Sequence, residues 1–340
     1  MANTRFGDYN VIDYTPLATL VERDQNLLEE LGIFDAMQAK KLTATWAEFE
    51  RKTQTKSNIL ARARGADRNY AGVDSSRKEM FPVPFFPLDG QVTPQDVQNF
   101  RMIGTADSNE TVENKVREKV AHIQRSHTDL VKKAMYKALV DNSTYQPIDA
   151  GGTDGADVRN FSTVWGAARP TGAVDLTDMA VDPYETMETE IRQPIIAAAK
   201  DNATGYQLIQ LVTSAVFSAI VNHPLVRAAY SQYSSDSEPL RKRLGGNSNN
   251  RVFTHKGITI VEDISGELTA AHGFALPLGI QDMFGMAYAP ADTIDHANQS
   301  AEEVYMFMKS DYRSETIESE TSFMCHISRP ELIVDVTYTL

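Results

Sequence analysis

Residues 107–142 read DSNETVENKVREKVAHIQRSHTDLVKKAMYKALVDN, and neither glycine nor proline occurs between Gly104 and Pro147. Nothing in that span breaks a helix. Asp107 followed by Glu110 fits a capping pattern, with Ser108 as a second candidate cap. Val112, Val116, Val120, Ile123, Leu130, Val131, Ala134, Met135, Ala138 and Leu139 recur largely in steps of three and four, which gathers them on one side of a helix. The spacing predicts one helix over Asp107–Asn142, roughly 50 Å long at about 1.5 Å per residue. A single apolar stripe on so long a helix suits a beam on which other elements rest. A coiled coil is the competing reading, but His127 interrupts the seam and four clean heptads are lacking.

With 340 residues the chain can form one large domain or two intermingled ones, with ample core. No apolar run approaches the roughly 18 residues that a membrane helix needs. Met1–Asn10 shows no basic-then-apolar signal pattern, so the chain is expected to stay in the compartment where it is made. Cys325 is the single cysteine, which excludes an internal disulfide and suits a reducing compartment. It stands in an alternating apolar stretch that reads as packing rather than as a nucleophile. The net charge of −13 is unevenly spread. Between Lys40 and Glu79 ten basic residues face five acidic ones, a net +5 that leaves −18 for the rest. Nucleic acid is one partner for such a segment, although no motif of a dedicated DNA reader accompanies it. A second copy of the same acidic chain is the other, and the favoured one.

Outward from the beam, residues 1–15 are polar and read as an arm. Thr15-Pro16 starts a helix carrying Leu17, Leu20, Val21, Leu27, Leu28 and Leu31, which Gly32 ends. Leu42–Glu50 alternates with a strand-like period, polarity rises through Arg62–Gly72, and Glu79–Leu88 returns as a second extended run. Its three prolines forbid a central strand and permit an edge. The whole reads as a two-stranded projection with a basic tip, marginal alone in water. Beyond the long helix, Phe161–Ala168 is a predicted strand. Asp182-Pro183 opens a helix interrupted at Pro194 and resumed over Ile195–Lys200. Tyr206–Thr213 is a strand, Ser214–Val221 a helix, and His223-Pro224 starts another that runs toward Tyr230. Ser231–Asn250 is a polar loop, and Val252–Thr254 pairs with Ile258–Glu262 across a turn at His255–Gly257. Residues 170–290 thus read as an α/β layer of their own.

Chemistry is absent from the motifs. His122 and His127 lie too far round a helix from each other for an i, i+4 metal pair. The Asp149–Asp157 loop has neither the Walker nor the EF-hand spacing, and no Gly-x-Ser-x-Gly or His-Glu-x-x-His occurs. The methionines read as core filler. Glu318 and Glu320 would share one strand face, a solvated strand edge rather than an acid–base dyad with Glu315. No catalytic, cofactor-binding or metal-ligating residue is predicted, and no cofactor.

The C-terminal third runs Phe274-Ala-Leu-Pro-Leu-Gly279, then Phe284-Gly-Met-Ala-Tyr-Ala-Pro-Ala-Asp292, then Glu302-Glu-Val-Tyr305. It closes on Ser319-Glu-Thr-Ser-Phe-Met324, Arg329-Pro-Glu331 and Leu332-Ile-Val-Asp-Val336. In that order these segments resemble the major capsid protein family of lambda-like tailed phages. There a Leu-Gly…Tyr-Ala-Pro-Ala-Asp segment leads to a final Arg-Pro-Glu-Leu-Val-Val strand. Asp96–Gln98, Ile220–Val226 and His255–Val261 sit where that family has comparable segments, so the likeness extends back to about residue 40. The family usually has a glycine shortly before the tyrosine matching Tyr305. Ser300-Ala-Glu-Glu303 stands there instead, which leaves that turn open.

The resemblance implies the Hong Kong 97-type phage capsid fold, of α+β class. Its parts would be an N-terminal arm (1–40), an extended hairpin loop (41–104), a peripheral domain (105–168 and 315–340) with its spine helix at 107–142, and an axial domain (169–314). The last strand, Leu332–Val336, would return to the peripheral domain beside the spine. The implied function is a shell subunit that self-assembles as hexamers and pentamers of an icosahedral head around double-stranded DNA. Decoration, scaffold and portal proteins are candidate further partners, and no membrane is involved. Arg62, Arg64 and Arg68, at the tip of the basic projection, are the expected inter-subunit contacts. An encapsulin-like compartment of the same fold is the alternative, and an enzyme using Cys325 or Glu315–Glu320 the third reading.

Overall fold

A computed structural model describes residues 11–18, 25–36, 38–53, 59, 61, 64, 69, 75–98, 111–149, 151–199, 205–231, 250–280 and 282–340. In chain order the elements are β1 (Val11–Asp13), α1 (Thr15–Ala18), α2 (Leu27–Glu30), β2 (Lys40–Lys41), β3 (Trp46–Thr53), β4 (Ser75–Pro82), β5 (Phe85–Pro87), β6 (Gly90–Val92), α3 (Pro94–Val97), α4 (Val112–Val140), α5 (Phe161–Trp165), β7 (Thr171–Asp175), α6 (Pro183–Met187), α7 (Gln193–Ala199), β8 (Gln207–Thr213), α8 (Ser214–Asn222), α9 (Pro224–Ser231), β9 (Val252–His255), β10 (Ile258–Asp263), β11 (His272–Leu278), β12 (Phe284–Tyr288), β13 (Tyr305–Asp311), β14 (Ser314–Ile327) and β15 (Val334–Thr339). The first sheet runs β1-β13-β14-β12-β2, with β5 and β6 on the other flank of β14. The second runs β7-β15-β11-β8-β10-β9, and β3 and β4 form a separate hairpin.

The long helix α4 is the beam. Thr111 caps it, its hydroxyl accepting the Asn114 N–H at 3.3 Å, so the described helix starts at Val112. The caps expected at Asp107 and Ser108 lie outside the described residues. Its 29 residues span about 43 Å. The N-terminal half lays Val116, Val120 and Ile123 on Met306 and Ile317 of the first sheet. The C-terminal half buries Val131, Ala134, Met135, Ala138 and Leu139 in a core shared with β12, β14 and, from the second sheet, Ile209, Leu211, Phe274 and Leu276. Strands β14 and β6, not a second long helix, lie along it, so the coiled-coil reading falls. His127 is buried within the stripe and hydrogen bonds the Ser319 hydroxyl at 2.9 Å. At the far end the Arg169 guanidinium donates to the Leu139 and Val140 carbonyls and lies 4.9 Å from the Phe274 ring centre. It thereby satisfies helix-end acceptors that have no partner in the helix and ties the beam to the second sheet.

Several expectations change. The helix expected from Thr15 to Leu31 is not continuous, being interrupted before Leu27. Asn26 is extended and caps α2 in a box with Glu29, while Thr15 lies inside α1 and its hydroxyl accepts the Met306 N–H at 3.2 Å. Phe161–Ala168 begins as helix α5, not strand, because Asn160 accepts the Thr163 N–H and Gly166, at φ 65, ends the turn. The helix around Pro194 continues unbroken. A π turn over Glu188–Arg192 widens the spiral just ahead of the proline, which accommodates its missing donor. That wide turn packs on β7 at Gly172, where a Cβ would lie 3.0 Å from the Glu190 carbonyl oxygen.

The largest correction concerns the end of the chain. Strand β15, expected beside the long helix, is inserted between β7 and β11 in the second sheet. Conversely, β12 and β13 fall in a span assigned to the second layer but pair with β14 in the first sheet. Alternation of side chains fixes which face a strand buries, not which neighbour it takes.

Candidate assembly surfaces

The β3–β4 hairpin pairs from Trp46 opposite Pro82 to Thr53 opposite Ser75. Period-two alternation buries Ala47, Phe49 and Phe81 on one face and exposes Trp46, Glu48, Lys78 and Met80 on the other. Phe49 stacks on His326 of β14, with centroids 4.0 Å apart, and meets Phe81 edge-on. Phe81, Phe161 and Trp165 close around the same imidazole. The Trp165 indole N–H is shared between His326 Nε2 at 3.2 Å and the Ile327 carbonyl at 3.1 Å. Burial, then the Lys40 charge, holds the His326 pKa down to about 3, so the ring is neutral. Gly285, opposite His326 on β12, leaves the space: a Cβ there would lie 3.2 Å from Phe49 Cε1. One step farther out, Arg51 bridges Glu331 at 2.5 Å.

Beyond this root, the hairpin's own acids are already matched. Lys78 pairs with Glu48 and Arg77 with Glu79, both at 2.8 Å, and the Ser76 hydroxyl donates to Glu50 at 2.5 Å. Of the tip residues expected to make contacts, Arg64 is exposed. Arg62 and Arg68 lie outside the described residues.

The residues weighed for catalysis do not converge. Cys325 is buried in the core at 3 % exposure. Glu318 is exposed, as expected, but β14 is paired on both flanks and is not an edge strand. Glu320 is half-buried, and burial, with Asp292, Asp89 and Glu318 nearby, raises its pKa to about 7. Glu315 faces the other side of the strand and accepts from the Ser310 hydroxyl at 2.5 Å. His122 is exposed, whereas His127 is buried. Among the described residues no group of metal-ligating side chains gathers, and no helix is long and apolar enough to cross a membrane. Sequence reasoning missed the aromatic knot around His326, whose members come from four separated segments; only the alternation at Ala47 and Phe49 hinted at it.

A long helix bridging two mixed sheets, with a hairpin rooted in the core, defines a mixed α/β fold of the tailed-phage capsid type. The chain is similar to a solved structure, the asymmetric unit of the bacteriophage PhiM1 mature capsid, with a TM-score of 0.50 and 15% identity over 87% of this chain and 82% of that one. The family model of phage major capsid protein E matches residues 16–338, and the chain belongs to that family. It is 27% identical to the major capsid protein of Pseudomonas phage KPP10, over 96% of each chain. It is also 27% identical to the major capsid protein of Salmonella phage Felix O1 (isolate Felix O1-VT1), over 76% of this chain and 78% of that one. The protein is therefore a structural component of a tailed-phage head, located in the virion capsid, and not an enzyme. The encapsulin-like and enzymatic readings fall with that membership.

Proposed function

We propose that this major capsid protein assembles as hexamers and pentamers into a closed icosahedral shell around double-stranded DNA, with the β3–β4 hairpin lying over an adjacent copy. In this reading residues 1–40 are the arm and 41–104 the extended loop. The first sheet with α4 forms the peripheral part, and the second sheet the axial part, whose loops meet at the symmetry axes. One observation carries the reading: the hairpin is rooted in the core through Ala47, Phe49 and Phe81, while its segment holds +5 against −18 in the rest of the chain. Arg62, Arg64 and Arg68 would then dock on acidic surface of the neighbour. Each exposed pair contributes only about 0–1 kcal/mol, but the contact repeats at every subunit.

Changing Arg62, Arg64 and Arg68 together to Glu tests it. The subunit should stay folded by circular dichroism, since the tip adds little core, while shell formation seen by electron microscopy stops or loosens. High salt should weaken wild-type shells in the same direction, as the Debye length falls to about 3 Å at 1 M. Normal empty shells from the triple variant would refute docking and shift the basic tip to DNA.

A further inference from the structure

Arg51 and Arg77 stand directly opposite each other on β3 and β4, two residues out from Phe49 and Glu79. Alternation puts both guanidiniums on the hairpin face that buries Phe49 and Phe81. Like charges directly opposite in a sheet destabilise it unless each is matched. Arg77 holds Glu79, on its own strand, at 2.8 Å, whereas Arg51 reaches off the hairpin to Glu331. That contact is two-pronged, from Nη2 to Oε1 at 2.5 Å and from Nη1 to Oε2 at 3.5 Å. The two side chains are 21 % and 19 % exposed, so the pair is largely shielded from water.

Glu331 belongs to the body. It stands in a short turn, Pro330–Leu332, whose proline and leucine are buried, and this turn carries the chain from β14 in the first sheet to β15 in the second. The turn lies against α5 and α7. On the opposite strand Arg77 reaches the end of α5, where a Cβ on Gly166 would lie 3.7 Å from its Nη1. Among the described residues Arg51–Glu331 is the outermost hydrogen-bonded tie between hairpin and body. Inward of it the contacts are apolar rings, Phe49 stacked on His326 and Phe81 edge-on to both. Apolar packing is non-directional, whereas a two-pronged ion pair fixes one geometry. A sheet of two strands is marginal alone, so its direction is set by what its inner face touches.

We propose that the Arg51–Glu331 pair is a latch that fixes the angle at which the β3–β4 hairpin leaves the body. With Glu331 uncharged, the Arg51 guanidinium is left half-covered beside Arg77 without a counter-charge. It then moves into water and carries β3 with it, so that the hairpin turns about its aromatic root. The consequence for assembly rests on the reading that the hairpin lies over an adjacent copy, because the exit angle decides where its tip lands. The latch itself needs no neighbour, so the two can fail separately.

The test places nitroxide labels at Lys52→Cys on the hairpin and Lys133→Cys on the exposed side of α4, both exposed positions, while the native Cys325 is buried. Double electron–electron resonance on the unassembled, labelled subunit should give one narrow distance. Glu331→Gln in that background should add a second, displaced population with helical circular dichroism unchanged. Arg51→Met, which removes the charge that drives the hairpin off, should displace it less. If Glu331→Gln does not fold, Arg51→Lys takes its place, since it keeps the charge but loses the second prong, and it should add the same population. A single unchanged distance in Glu331→Gln, or in Arg51→Lys where that stands in, would overturn the latch. So would a displacement by Arg51→Met as large as that of the variant it is compared with.

Discussion

His127 and His326 are buried and neutral for the same physical reason, which is that burial penalises the imidazolium. Their folded pKa values are about 4 and about 3, against about 6.5 for an unfolded histidine. Below pH 6.5 the unfolded chain therefore binds more protons. Stability is complete above that pH and is lost as the pH falls toward 4. For His127 the loss amounts to about 3 kcal/mol. Denaturant unfolding of the unassembled subunit at pH 7 and pH 4.5 should show His127→Gln losing less stability on acidification than wild type. Equal losses would mean that His127 is not the titrating group. The root of the hairpin offers a second residue-scale test. Phe49→Ala removes the ring stacked on His326 and should cost about 3–5 kcal/mol in equilibrium unfolding. A change below about 1 kcal/mol would show that the root is not packed as described.

At the scale of elements, α4 holds the molecule together because its two halves serve different cores. Val120 sits mid-helix against the Ile123–Met306–Ile317 cluster. Val120→Pro removes a backbone hydrogen bond and clashes with the preceding turn, at a cost of about 3 kcal/mol or more. Soluble yield and helical circular dichroism should fall before assembly is even possible, and soluble, normally shaped particles would contradict a single continuous helix. The smaller elements were less legible for local reasons. Helix α5 could have been found from Asn160 and Gly166, a cap at each end of a short apolar run, but Val164 and Trp165 also suit a strand. The π turn before Pro194 leaves no mark in the sequence, since proline alone predicts a break.

On the scale of the whole molecule, the chain weaves between its two sheets. After β7–β11 in the second sheet it supplies β12–β14 to the first, then returns through β15 to the middle of the second. Removing residues 334–340 should therefore do more than trim an edge, because β7 and β11 both lose their shared partner. Limited proteolysis of the shortened subunit should cut within 171–278, while wild type stays protected there. Protection of that span in the shortened chain would contradict the sheet order.

The amino-acid sequence by itself determined the long helix, the hairpin with its basic excess, most strands of the second sheet and the capsid family. Each rests on something local: a period of three to four, an alternation, a charge count or an ordered set of short segments. Tertiary structure alone decided the place of β15, the ring of Phe49, Phe81, Phe161 and Trp165 around His326, and the pairing of Arg51 with Glu331. These depend on which distant segments become neighbours. A strand's pattern specifies the face it buries but not the strand beside it, and a buried histidine reads like a solvated one until its surroundings are known.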